Sequence, residues 1–367
     1  GDVGSGKTIV AAIAALAAVD AGAQAAVMAP TEILGEQHHR KFSEWLAPLG
    51  VRIAWLHGGL GRKEKRAVLA SIAQGETQIA IGTHALFQED VVFQRLALAV
   101  VDEQHRFGVQ QRLALRRKAT AEGIVPHQLM MSATPIPRTL SMSYYADLDV
   151  SVIDALPPGR SPVRTRLVAN ARRDEVLVRV REACAAGQQV YWVCPLIEES
   201  EKMDLNNLMQ GYEAVCRDFP APKYRISIVH GKMKPADKDF EMQRFLKGET
   251  QIMVATSVIE VGVNVPNASV MVIENSERFG LSQLHQLRGR VGRGAEQSYC
   301  ILMSSFKLSS DAKLRLSTMC ETNDGFKIAE MDLQLRGPGD AEGTQQSGLL
   351  DMKIADIGRD AALIPPA

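Results

Sequence analysis

The five residues Gly75-Glu76-Thr77-Gln78-Ile79 return unchanged as Gly248-Glu249-Thr250-Gln251-Ile252, and their surroundings return with them. His57-Gly58 lies upstream of the first copy and His230-Gly231 upstream of the second, while Thr83 follows the first and Thr256 the second. Every pair keeps one offset of 173 positions, from 57 to 230, 75 to 248 and 83 to 256. A single offset carried through a basic helical stretch, into a strand and on through its loop indicates two copies of one unit in tandem.

The unit is α/β. Apolar, β-rich segments recur between helix-length amphipathic stretches: Gln24–Pro30, Val51–Leu56, Gln78–Gly82, Leu96–Asp102 and Gln128–Ser132, then Gln189–Cys194, Ile226–Val229, Gln251–Ala255, Val270–Glu274 and Tyr299–Met303. Strands alternating with helices at this period predict parallel sheets. Leu156-Pro157-Pro158-Gly159-Arg160-Ser161-Pro162 continues neither a helix nor a central strand and marks the join. The expected division is a first domain over 1–155, a linker over 156–162 and a second domain over 163–305. Leu308–Glu321 and Phe326–Arg336 read as a helical hairpin, so 306–350 is expected to be that hairpin and a loop, with 351–367 as a tail.

At 367 residues the chain is long enough for two such cores. With 46% hydrophobic residues, no apolar run approaches the roughly 20 residues that cross a bilayer, so no membrane role is expected. Lys plus Arg equals Asp plus Glu at 42 each, so any nucleic-acid surface must be local. The five cysteines are odd in number and never spaced C-x-x-C, which disfavours a zinc site or a disulfide framework and suggests a reducing cytoplasm. The chain opens on Gly1 without an initiator methionine or a charged-then-apolar leader, and reads as an internal piece of a longer protein.

The chemistry begins at Gly1-Asp2-Val3-Gly4-Ser5-Gly6-Lys7-Thr8, which fits G-x-x-x-x-G-K-[ST] and runs into an alanine-rich helical stretch. Gly1, Gly4, Ser5 and Gly6 curl backbone N–H groups around an anion. Lys7 reaches the β- and γ-phosphates of a nucleotide and the Thr8 hydroxyl holds Mg²⁺. The pattern needs a second, carboxylate-bearing strand, and Leu96–Val101 followed by Asp102-Glu103 supplies it. Asp102 is the expected Mg²⁺ partner and Glu103 the base that orients the attacking water. Cations must neutralise the charge that grows on the γ-phosphate, and Arg290 and Arg293 stand three apart in a glycine-punctuated segment after Gln286. His38-His39 reads as a polar helix face, and Arg62-Lys63-Glu64-Lys65-Arg66 and Arg116-Arg117-Lys118 as solvated ones.

Phosphate loop, Asp102-Glu103, Ser132-Ala133-Thr134-Pro135, and Gln286 with Arg290 and Arg293, in this order, resemble a superfamily 2 helicase. Within it, Asp102-Glu103-Gln104-His105-Arg106-Phe107-Gly108 and Met131-Ser132-Ala133-Thr134-Pro135-Ile136-Pro137-Arg138 resemble the RecG family of ATP-dependent, fork-remodelling DNA helicases, as does the segment Gly325–Asp340 with Gly343-Thr344 and Gln346-Ser347-Gly348. The resemblance implies two tandem RecA-like domains with ATP between them and Arg290 and Arg293 reaching over from the second. It implies a nucleotide-sensing Gln286, backbone contacts to nucleic acid from Thr31, Thr83 and Thr256, and coupling through Ser132 and Thr134. Arg336 and Gln346 become the polar contacts of a lever built on the helical hairpin. The implied partner is branched, double-stranded DNA gripped without regard to sequence, and the implied setting is the bacterial cytoplasm and its nucleoid, with the motor monomeric. The family's wedge domain and the segment before the phosphate loop lie outside this sequence, so this chain is expected to bind ATP poorly and not to select forks. A transcription-repair coupling translocase, a nucleotide- or DNA-binding scaffold without turnover, and an RNA helicase are the competing readings, the last disfavoured by Arg106-Phe107-Gly108-Val109.

Overall fold

The computed structural model describes residues 1, 4–103, 125–132, 149–153, 155, 161–195, 201–256, 265–292, 294 and 297–336. They fall into two compact units, each built on a wholly parallel sheet. The first unit runs α1 (Lys7–Asp20), β1 (Gln24–Met28), α2 (Glu32–Leu46), β2 (Ile53–Leu56), α3 (Arg62–Ala73), β3 (Ile79–Gly82), β4 (Leu96–Val101) and β5 (His127–Met130), with strand order β2-β3-β1-β4-β5. The second runs β6 (Arg164–Ala169), α4 (Arg173–Ala185), β7 (Gln189–Val193), α5 (Glu201–Asp218), β8 (Ile226–Val229), α6 (Pro235–Leu246), β9 (Ile252–Ala255), β10 (Ala268–Ile273), α7 (Leu281–Arg288), β11 (Tyr299–Ser304), α8 (Ser310–Glu321) and α9 (Gly325–Arg336). Its order is β6-β11-β10-β7-β9-β8, the same arrangement with one added edge strand.

The duplication reaches individual hydrogen bonds. The Arg52 N–H donates to Gln78 Oε1 at 3.0 Å and the Arg225 N–H to Gln251 Oε1 at 2.9 Å, a pair of contacts at the sequence offset. At the start of β1, buried Gln24 donates through Nε2 to the carbonyls of Ile72 and Thr77, at 2.9 and 2.6 Å. At the start of β7, buried Gln189 donates to Phe245 and Thr250, at 2.6 and 2.8 Å. The acceptors keep the offset and the donors do not, because the chain between β7 and β8 is longer than that between β1 and β2.

Both faces of each sheet are covered, which is why the central strands read as unbroken apolar runs. In β1, Ala25 and Val27 pack with Ala11, Ala12 and Ala15 of α1 and Phe42 of α2, while Ala26 and Met28 pack with Ile72 of α3 and Leu86. Small side chains on α1 let the helix lie close over the sheet. In the second unit Trp192 is fully buried between α4 (Val176, Leu177, Val180) and α5 (Leu208, Val215). The strand that sequence reading misses is β6: Arg164-Thr165-Arg166-Leu167-Val168-Ala169 is an edge, half exposed, and shows no apolar run. Of the expected linker, residues 156–160 lie outside the described residues, as do the loop and tail from 337 onward.

The helical hairpin forms as expected and is tied to α7. Arg288, 3% exposed, donates through Nη1 to the carbonyls of Met319 and Thr322, both at 2.8 Å, at the end of α8. Ser282 Oγ donates to Asp332 Oδ2 of α9 at 2.7 Å. No helix among the described residues is long and apolar enough to cross a membrane.

Candidate functional site

Topology brings the phosphate loop and the acidic pair to one edge of the first sheet. A tight turn joins the end of α1 to the start of β1, so α1 runs back along the sheet and its first residues lie at the carboxyl ends of the strands. β4 is parallel to β1 and hydrogen-bonded to it, and α1 packs on both. Lys7 and Thr8 therefore start a helix on the edge where β4 delivers Asp102 and Glu103. In open parallel sheets ligands bind at that edge.

The start of α1 is built for an anion. Gly6, at φ 97°, and Gly4, at φ 72°, occupy the left-handed region where other residues strain. No side chain caps α1, and its first turn holds no acid, whereas α2 has Thr31 and Glu32 and α8 has Ser309 and Asp311 at the corresponding places. Among the described residues, no side chain caps these N–H groups at the positive end of the helix dipole. The Lys7 amine folds back to donate to the Gly1 carbonyl at 2.9 Å, and the Ser5 hydroxyl is buried with no partner among the described residues.

Asp102 and Glu103 are both buried. The Asp102 N–H bonds the Met28 carbonyl, its Oδ1 accepts the Glu103 N–H at 3.0 Å, and its Oδ2 faces His38 Nε2 at 2.9 Å. His38 is 3% exposed, so the expectation of a polar helix face is corrected: α2 turns this histidine into the unit, against the carboxylate. Each Asp102 oxygen keeps a lone pair beyond its one hydrogen bond. With the Thr8 hydroxyl this is an all-oxygen donor set of low charge, which suits Mg²⁺ completed by water and phosphate oxygens.

Glu103 has φ 49°, and the second unit repeats the feature. Glu274 follows β10 as Asp102 follows β4: its N–H bonds the carbonyl of Val193, the last residue of β7, as that of Asp102 bonds Met28, the last of β1. The next residue, Asn275, has φ 45°. The fold therefore demands a left-handed residue after this strand in both copies. The second copy uses Asn, which tolerates that conformation, and the first uses Glu, which does not. In the second copy Arg173, at the start of α4, pairs with Glu274 and, at 3.1 Å, with Asp218, so an internal ion pair joins helix start to strand end.

The remaining expected residues sit as follows. Thr31 caps α2, accepting the Leu34 N–H at 3.3 Å. Thr83 and Thr256 follow β3 and β9, each 2% exposed, with hydroxyls that have no partner among the described residues. Ser132 lies just past β5, and Gln286 is half buried on α7. Arg290 is 4% exposed, which rules out a solvated surface charge. Gly292, at φ 78°, has a local packing reason to be glycine, since a Cβ there would meet Val163 at 2.8 Å; the glycines near Arg290 are thus no independent argument for its role. Arg293, Thr134 and Gln346 lie outside the described residues, and of Arg336 only the helical backbone is described. Among the residues that sequence reading missed, His38 carried a signal in its type but none in its spacing, because its partner is 64 positions away. Burial pushes the Cys184 thiol up to about 11 and the Cys300 thiol up to about 12, which leaves both protonated and inert.

Three family models match: DEAD/DEAH box helicase over residues 1–143, helicase conserved C-terminal domain over 173–295, and ATP-dependent DNA helicase RecG, domain 3, C-terminal, over 322–366. An ATP-dependent DNA helicase RecG of Escherichia coli is 54% identical over 366 residues, covering 100% of this chain and 52% of that protein. The one of Haemophilus influenzae is 53% identical over 368 residues, again with 52% of its length covered. A solved structure of RecG bound to a three-way DNA junction matches with a TM-score of 0.78 and 43% identity over 99% of this chain and 46% of that one. The chain thus spans about half the length of the curated relatives it matches.

Proposed function

Because this chain belongs to the RecG family of superfamily 2 helicases, we propose that it is an ATP-driven motor that moves on double-stranded DNA and remodels branched DNA, as in fork reversal and branch migration. It works as a monomer in the bacterial cytoplasm, on the DNA of the nucleoid. Residues 1–155 and 163–305 are its two motor domains, 156–162 the linker, 306–350 the lever and 351–367 a tail.

The residues divide the work by their chemistry. Gly1, Gly4, Ser5 and Gly6 cradle the phosphates with backbone N–H groups, and Lys7 leaves the Gly1 carbonyl for the β- and γ-phosphates. Thr8 and Asp102 hold Mg²⁺, which when bound draws charge from the phosphate oxygens. Glu103 takes the proton of the attacking water. Arg290 and Arg293 offset the charge on the γ-phosphate, Gln286 senses the nucleotide, and Ser132 and Thr134 pass its state onward. Thr31, Thr83 and Thr256 address DNA phosphates, the two buried hydroxyls becoming available as their strand ends open, and this contact carries no base information. Arg336 and Gln346 serve the lever.

One observation carries the reading: a glutamate held buried, and against its conformational preference, where the sister copy has asparagine. A residue kept at a cost beside an uncapped helix start is kept for what its carboxylate does. The test is phosphate release with and without a three-way DNA junction. At ATP concentrations high enough to fill a weak site, wild type is expected to accelerate on the junction, and Glu103→Gln to lose release by at least about 10²-fold while still binding nucleotide and DNA. Release unaffected by Glu103→Gln contradicts the proposal.

A further inference from the structure

We propose that His38 is a positioning residue for the metal-binding carboxylate of Asp102, held in place by its seat on α2. The proposal rests on reading Asp102 as a Mg²⁺ ligand. A carboxylate oxygen only accepts, so the ring nitrogen that faces Asp102 Oδ2 at 2.9 Å carries the hydrogen and donates it. The Glu103 N–H donates to the other oxygen at 3.0 Å. One donor on each oxygen fixes the plane of the carboxylate and leaves the remaining lone pairs for the cation, the usual work of a partner behind a metal ligand. The ring itself is held, buried to 3% exposure and packed edge-on against Phe42 at a centroid distance of 6.4 Å.

His38 lies two turns along α2 from Thr31, the cap of that helix, a rise of about 10 Å. At the same end of the helix Glu32 Oε1 accepts the Gly58 N–H at 3.0 Å, fastening the start of α2 to the His57-Gly58-Gly59 turn.

The test uses the 367-residue chain and a fluorescent ATP analogue, titrated with Mg²⁺ and, separately, in EDTA. His38→Leu is expected to raise the Mg²⁺ concentration for half-maximal nucleotide binding about 10- to 100-fold and to leave affinity in EDTA unchanged. His38→Gln, whose amide nitrogen reaches the same place, recovers most of the loss. A Leu variant with the wild-type Mg²⁺ dependence, or a Gln variant as impaired as Leu, overturns the proposal. Wild type whose nucleotide binding ignores Mg²⁺ overturns the reading of Asp102 and this inference with it, and that result needs no variant. Should His38→Leu fail to fold, ring ¹⁵N resonances of wild type decide: a protonated Nε2 that shifts when Mg²⁺ is added to the nucleotide complex supports the role, and an unprotonated or unmoved one contradicts it.

Discussion

Glu103 and Asn275 separate what the fold requires from what the chemistry requires. Both occupy the left-handed turn after the strand beside the central one, at φ 49° and 45°. A non-glycine residue there costs about 1–2 kcal/mol, and asparagine escapes much of it. Glu103→Asn is therefore expected to raise stability by about 1 kcal/mol in urea denaturation while phosphate release falls at least about 10²-fold. Loss of stability would show that the carboxylate holds the turn together and would remove the conformational argument for its role. The acidic pair was legible in the sequence because a phosphate loop calls for a carboxylate at the end of a neighbouring strand. His38 was not, since its significance exists only once α2 packs on the sheet and its ring meets the residue that follows β4.

At the scale of elements, the same strand order in both sheets follows from repeated segments that could be read directly, down to Gln78 and Gln251. Gln24 and Gln189 perform one job in the two copies, but a longer connection in the second breaks their offset and hides them. β6 escaped because an edge strand buries only part of one face and so keeps its charges. The hairpin was legible as two helices, whereas its attachment was not: Arg288 reaches the last carbonyls of α8 from the middle of the segment that also holds Gln286 and Arg290. Removing that guanidinium leaves buried carbonyls unmet, at about 1–3 kcal/mol each. Arg288→Met is expected to speed amide exchange through α8 and α9 first, with β7 and β10 still protected. Uniform loss of protection across the second unit would contradict a local tie.

For the whole molecule, equal numbers of acids and bases mean that the proposed hold on DNA must come from placed groups, with no general attraction to help. The two copies have diverged in use while keeping one frame. In the first no described side chain caps the helix start; in the second Arg173 on Glu274 joins the corresponding ends with a side chain of the protein itself. The proposed function accordingly needs one phosphate loop, in the first unit, and asks of the second copy only the arginines assigned to it in that proposal. The most direct measurement is junction-stimulated phosphate release by Arg290→Ala set beside its nucleotide affinity. Release is predicted to fall about 10³-fold or more with affinity little changed. Release at the wild-type rate would contradict the account.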